Sequence, residues 1–295
     1  MSGSFFFRGT MKKIIYCLVF VCGCIKLADA YWFWDKEIDK IHNNGNRYSQ
    51  SFYAVKKVML DKIYYDNKRT LYCNAEFDKY KRIKKIIGFT LPDVREVDFK
   101  VYDISSEELE LKAERMEWEH IVPAVNFGRS FKEWSQGHQN CVSRKGKRYK
   151  GRICAEQESE DFRYMYTDMY NLYPAIGAVN YLRSNFNFTD FNQRDNVKNI
   201  FGNCQLKISR NKVEPDNRIK GLIARTYFYM EQTYSRYKIG EPMRGILKIW
   251  DKKYPVTPWE CQRAYRIEKV QGNANEIVKK ECQNKMLYTD NKGNR

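Results

Sequence analysis

The stretch Met116-Glu117-Trp118-Glu119-His120-Ile121-Val122-Pro123 sets a carboxylate directly before a histidine and closes with a proline. Histidine, with a pKa near 6.5, is mostly neutral at working pH and accepts a proton; a carboxylate oxygen can hold a hard cation. His120 is one of three histidines in the chain. His42 falls among the turn formers Asn43, Asn44 and Gly45, and His138 in a polar passage, so both are expected in loops. The alternation Met116, Trp118, His120, Val122 predicts a strand with one face inward, stopped by Pro123, which has no N–H for a ladder. A regular strand sends Glu119 and His120 to opposite faces. A loop beginning at His120 lets both converge on one site. Taken alone, the octapeptide also fits a plain edge strand with a half-buried histidine and a solvated glutamate.

The elements around it can be read from periodicity. Phe52, Val55, Val58, Met59 and Ile63 predict a helix from about 49 to 65, and Val97, Phe99 and Val101 predict a strand. Residues 107–115 are charge-rich and read as a connector. Gly137, Gly146 and Gly151, with Lys145, Lys147, Arg148, Lys150 and Arg152, predict irregular structure with many anion-binding groups. Pro174 suits the first turn of a helix over 175–185, with Ile176, Val179 and Leu182 as its buried stripe. Asn180 and Arg183 lie three apart on that helix, where a purely structural role for Asn180 stays open. Residues 191–212 read as loop-rich. Helices are expected after Pro215, over 243–254 and over 259–270, with a frayed tail from about 286. No repeat and no Pro-, Gly- or Ser-rich linker divides the chain. A single α+β, helix-rich domain over 31–295 is expected.

Composition bounds the partners. The net charge of +17 attracts polyanions: nucleic acid, acidic polysaccharide or an anionic membrane. Met11-Lys12-Lys13, the apolar run 14–25 and Ala28-Asp29-Ala30 have the order of a cleaved signal peptide over residues 1–30, and Met11 is an alternative start. Val21-Cys22-Gly23-Cys24 loosely resembles a lipoprotein cleavage site. Removal of 1–30 takes away Arg8, Lys12, Lys13, Lys26 and Asp29, leaving a net charge of about +14. Six cysteines then remain, at 73, 141, 154, 204, 261 and 282. An even number in an exported chain predicts up to three disulfides, with 15 possible connectivities. Cys141–Cys154 is the preferred pair, stapling the basic loop at its base. A zinc site of His138, Cys141 and Cys154 is the competing reading.

Several ordered motifs together resemble the bacterial endonuclease I family of periplasmic and secreted nucleases, in the His-Me finger (ββα-metal) superfamily. They are Glu117 to Ala124, Asp168 to Pro174, Gly177 with Val179-Asn180, Arg183-Ser184-Asn185, Gly221 to Met230, Tyr254-Pro255-Val256, Trp259-Glu260-Cys261 and Lys269 to Asn273. The resemblance implies a ββα-metal core in which His120 is the general base. It implies that Glu119 and Asn180 hold one divalent cation, usually Mg2+, and that Arg152 steadies the phosphate. The implied substrates are double- and single-stranded DNA, with RNA in part. The implied protein is periplasmic or secreted, monomeric and not inserted in a membrane.

Physical chemistry agrees with these roles. Phosphodiester hydrolysis needs an activated water and charge neutralisation, which a neutral histidine, an oxygen-bound Mg2+ and a guanidinium supply. Two readings compete with the nuclease: a non-catalytic exported DNA-binding protein, and a cationic protein acting on the cell envelope.

Overall fold

The computed structural model describes residues 44–289, so the expected signal segment lies outside the described residues. Ser51 caps helix α1 (Phe52–Val58) by accepting the Ala54 N–H, and a π-helical turn at Met59–Ile63 continues it. The predicted stripe buries Val55, Met59 and Ile63 fully. Where a connector was expected, helix α2 (Ser106–Ala113) forms. Ser105 and Glu108 make a reciprocal capping box at its start, satisfying two backbone N–H groups that a helix leaves orphaned.

Strand β1 (Met116–His120) buries Met116 and Trp118 as its alternation predicts, but the pattern breaks at its end, where Glu119 is buried and His120 only half-buried. Short helices α3 (Ala124–Gly128) and α4 (Lys132–Ser135) come next, then α5 (Arg152–Glu158) and α6 (Glu160–Tyr166). Strand β2 (Leu172–Ile176) pairs antiparallel with β1, setting Trp118 opposite Pro174 and His120 opposite Leu172. Pro174 therefore sits inside a strand and not in the first turn of a helix. A two-stranded ladder consists only of edges, which tolerate a missing N–H. The Pro174 carbonyl meanwhile accepts from Leu71 at 2.7 Å.

Helix α7 (Gly177–Arg183) leaves β2 without a loop and buries Val179 and Leu182. Gly177 is required there by close approach: a Cβ would lie 2.6 Å from the Lys112 carbonyl oxygen at the end of α2. Strands β3 (Asn187–Phe188), β4 (Leu206–Ser209) and β5 (Lys212–Pro215) form a second sheet in the order β3-β5-β4. The passage read as loop-rich thus contains β4. The strand expected at 97–101 does not form. Phe99 is buried edge-on against Phe186, but the Lys100 N–H goes to the Asn211 side chain and finds no ladder.

Helices α8 (Asn217–Thr233), α9 (Glu241–Lys253), α10 (Pro258–Gln271) and α11 (Glu276–Asn284) complete the helix-rich part. The first three lie where their periodicity placed them. Arg225 of α8 is 1% exposed and makes two 2.7 Å bonds to Glu260 of α10, plus one of 2.9 Å to the Tyr254 carbonyl. Leu287 and Tyr288, in the stretch expected to fray, turn back: Leu287 donates to the Cys282 carbonyl and Tyr288 to Glu268. The mixture of helices and two small sheets is α+β. No helix among the described residues is long and apolar enough to cross a membrane.

Three disulfides form among the described residues: Cys73–Cys204, Cys141–Cys154 and Cys261–Cys282. The Cys141–Cys154 bridge removes the zinc reading, because both sulfurs are spent in a covalent bond. His138 Nδ1 lies 3.0 Å from Glu158 instead. Bridges that close loops of 131, 13 and 21 residues restrict the unfolded chain, each by about 3–5 kcal/mol in the chain-entropy account. Excess dithiothreitol is therefore expected to lower the thermal midpoint, and an unchanged melt would contradict a structural role for the bridges. Arg225→Leu leaves Glu260 buried without its partner, which costs about 3–5 kcal/mol and lowers Tm by roughly 10 °C in calorimetry.

Candidate active site

A cavity of about 490 Å3 opens where β1, α7 and the start of α5 meet, lined by Glu117, Glu119, His120, Arg152, Asn180 and Arg183 among others. All four residues singled out from the sequence line it. The chain between them is long, but the β1–β2 pairing and the direct entry into α7 return Asn180 to the end of β1.

His120 ends β1, and the backbone turns away immediately after it. Asn171, which precedes β2, fixes that turn. Its side chain accepts from the Val122 N–H at 2.8 Å and donates to the Val122 carbonyl at 3.0 Å, while its own carbonyl accepts from Ile121. The half-buried imidazole stacks on Tyr166, with ring centroids 4.5 Å apart, and packs against Phe52. Its Nε2 lies 2.8 Å from the Tyr166 carbonyl oxygen. A carbonyl only accepts, so Nε2 carries the proton and Nδ1 presents a lone pair. Burial pushes the imidazole pKa down to about 4, the Tyr166 carbonyl opposing this and the charges of Arg152 and Arg183 reinforcing it. The ring is therefore neutral near pH 7 and able to act as a base.

Glu119 is buried, and two side chains meet it. Tyr72 donates its hydroxyl to Oε1 at 2.6 Å, and Arg183 Nη1 lies 3.2 Å from the same oxygen. Burial pushes the carboxyl pKa up, against the pull of Arg183 and the Tyr72 hydroxyl. Such a carboxylate gains from any further positive charge placed beside it. Arg183 itself is fully buried at the end of α7. It donates to the carbonyls of Ile121 at 2.8 Å, Ser184 at 3.1 Å and His120 at 3.4 Å, with Phe188 under its guanidinium.

Glu117 is two residues before Glu119 and shares its strand face. It accepts Lys112 Nζ at 2.8 Å on one oxygen and Asn180 Nδ2 at 3.1 Å on the other. With its NH2 group held by Glu117, Asn180 keeps Oδ1 as a free acceptor. A carboxylate and an amide oxygen lining one cavity form a donor set that fits a hard dication such as Mg2+, which takes oxygen ligands and retains water. Among the described residues the Asn180 side chain is hydrogen-bonded to Glu117 and the Glu119 side chain to Tyr72.

Arg152 is the first residue of α5, and Gly151 before it turns the chain at φ 90°, a region open to glycine at little cost. Its guanidinium is exposed over the Tyr166 ring, 5.8 Å from the centroid. Tyr166 thus touches both His120 and Arg152. Sequence reading did not single out Glu117, Tyr72, Lys112, Asn171 or Tyr166. Only Glu117 carried a usable signal, its i, i+2 spacing from Glu119. Asn171 lies in the quoted motif Asp168 to Pro174, but its role, like those of Tyr72, Lys112 and Tyr166, depends on contacts made in the fold.

Comparison with known proteins places the chain among relatives. The model for the family Endonuclease I matches residues 50–282. An extracellular deoxyribonuclease of Aeromonas hydrophila is 34% identical over 240 residues, spanning 80% of this chain and 92% of its own length. A periplasmic deoxyribonuclease of the same organism is 34% identical over 241 residues, 80% of this chain and 88% of its own. An Endonuclease-1 of Buchnera aphidicola subsp. Acyrthosiphon pisum (strain APS) is 36% identical over 238 residues, 80% and 83% respectively. With the match covering the strands, the α7 helix and the whole cavity, the chain belongs to the Endonuclease I family.

Proposed function

We propose that this protein is an exported, metal-dependent endonuclease that hydrolyses phosphodiester bonds of DNA, and in part of RNA, without strict base preference. The observation that carries the reading is the hydrogen bond from His120 Nε2 to the Tyr166 carbonyl, which leaves Nδ1 as the unprotonated nitrogen of a histidine that lines one cavity with Glu119, Asn180, Arg152 and Arg183. Relatives named as extracellular and periplasmic deoxyribonucleases support both the substrate and a periplasmic or secreted location. The order β1, β2, α7 suits a ββα-metal (His-Me finger) core. The mature protein on this reading starts near Tyr31, and one chain supplies every residue of the site, so a monomer suffices.

In this reading His120 Nδ1 takes the proton of a water as its oxygen bonds to phosphorus. A P–O ester bond breaks, the departing oxygen takes a proton from solvent water, and the proton gained by His120 returns to solvent. Glu119 and Asn180 would hold one Mg2+, which when bound neutralises charge on the phosphate and the departing oxygen. Arg152 adds a guanidinium at the phosphate from the rim. Glu117 and Lys112 keep the Asn180 amide from rotating, and Arg183 holds Glu119 in place. Contacts that reach phosphates read no sequence, which accounts for the lack of base preference.

Plasmid cleavage is expected with Mg2+ and not with EDTA. His120→Ala is expected to lower turnover by about 10²–10⁴-fold, and Arg152→Ala by roughly 10²–10³-fold, in a fluorescent cleavage assay. Wild-type rates in His120→Ala would remove the assigned base. A protein that binds DNA in EDTA but never cuts it with any divalent cation would instead be a binding module.

A further inference from the structure

The proposed site leaves one feature of the chain unused. Between Cys141 and Cys154, ahead of the Arg152 already assigned to the site, stand Arg144, Lys145, Lys147, Arg148 and Lys150, and no carboxylate. The segment is a built hairpin. Val142 bridges Arg148, the Ser143 N–H donates to the Lys147 carbonyl at 2.8 Å, and the Tyr149 N–H to the Cys141 carbonyl at 2.9 Å. Gly146, at φ 73°, makes the turn at the tip. The Cys141–Cys154 bridge, buried at both ends, closes the base. Arg144, Lys145, Lys147, Arg148 and Lys150 are all exposed, and none makes an ion pair among the described residues. Five cations held together without counter-charge repel one another, a cost that gains nothing for the fold itself.

The position of the hairpin says what it faces. Its outgoing strand passes through Gly151 into Arg152, which lines the cavity. The Gly151 N–H donates to the carbonyl of Trp134, another cavity residue, at 3.0 Å. The hairpin therefore projects from the rim of the phosphodiester site, and any polyanion threaded through that site runs past it.

We infer that this disulfide-closed basic hairpin is a docking arm for the nucleic-acid backbone, gripping phosphates beyond the one being cleaved. This rests on the nuclease reading and adds a substrate-length dependence to it. Duplex DNA carries one charge per about 1.7 Å of axis, so several phosphates lie within reach of side chains spaced along one hairpin. Closure by the bridge means the cations are presented together, with less ordering entropy lost on binding than from a loose lysine-rich loop.

The test neutralises the arm and leaves the cavity intact: Arg144→Gln, Lys145→Gln, Lys147→Gln and Arg148→Gln in one protein. Binding to a 30-base-pair duplex is measured in EDTA across a salt series, so that the readout does not depend on cleavage. Turnover of bis(p-nitrophenyl) phosphate with Mg2+ is measured alongside. The expected result is at least a tenfold weaker Kd near 0.1 M salt and a flatter slope of log K against log salt. The slope should fall by about 0.9 for each phosphate that the variant no longer neutralises, with small-diester turnover within about twofold of wild type. An unchanged Kd and slope would overturn the proposal. So would a variant that keeps duplex affinity while losing affinity for phosphatidylglycerol vesicles, which would make the arm a lipid-docking element. Where the fourfold variant fails to fold, the single changes Lys145→Gln and Lys147→Gln at the solvent-exposed tip serve instead. Each should flatten the slope by about 0.9, and no change in either would equally overturn the proposal. A wild-type protein that cuts neither substrate, yet shows the salt effect, would sink the nuclease reading and leave the arm standing.

Discussion

The site depends on one buried contact, that of Arg183 with Glu119. Two opposite charges with almost no exposure sit 3.2 Å apart at the junction of α7 and β1. Removing both from water is costly, and the geometry offsets that cost only because the neighbouring acceptors are also used. Arg183 donates to the carbonyls of His120, Ile121 and Ser184, and Tyr72 donates to the glutamate. The same guanidinium therefore fixes the strand end that carries His120, the carboxylate beside it, and the helix that carries Asn180. His120 and Asn180, both lining the cavity, each use one polar side-chain atom in a hydrogen bond, Nε2 to the Tyr166 carbonyl and Nδ2 to Glu117.

A second layer keeps those side chains in place. Asn171 closes on Val122 from both sides, the Tyr166 carbonyl sets the His120 tautomer, and Glu117 with Lys112 sets the Asn180 amide. These contacts are short in space and long in sequence, 46 residues for His120 with Tyr166 and 63 for Asn180 with Glu117. Orientation through such contacts is what raises a pair of ordinary side chains to a site, since misplacement of about 1 Å removes much of the benefit. The disulfides act at the margins of this core. The bridge of Cys141 with Cys154 lies two residues from Arg152 and holds the rim, whereas Cys261–Cys282 joins α10 to α11 far along the chain.

Local chemistry made much of this legible in advance. The stripe of α1, the alternation of β1, the periodicity of α8 to α10 and the Cys141–Cys154 pair all depend on neighbours close in the chain. Where the expectation missed, the cause was tertiary. Pro174 reads as a helix start, but pairing with β1 draws it into a strand, and an edge position excuses its missing N–H. Val97, Phe99 and Val101 alternate as a strand should, yet no partner edge reaches them, so burial of Phe99 persists without a ladder.

Residue order supplied the candidates: a histidine beside a carboxylate, an amide and a guanidinium whose roles the family resemblance suggests, a cationic composition and an even set of cysteines. Residue types and ordered motifs suffice for that, because reactivity belongs to side chains. It left open whether Glu119 and His120, which a regular strand sends apart, serve one site. The assembled fold answered that by ending β1 at His120 and turning the backbone against Asn171, so that both residues line one cavity. It also set Glu117, not Glu119, against the Asn180 amide, and chose which nitrogen of His120 keeps its proton. Those outcomes rest on hydrogen-bond partners from distant segments, which only the tertiary fold brings within reach.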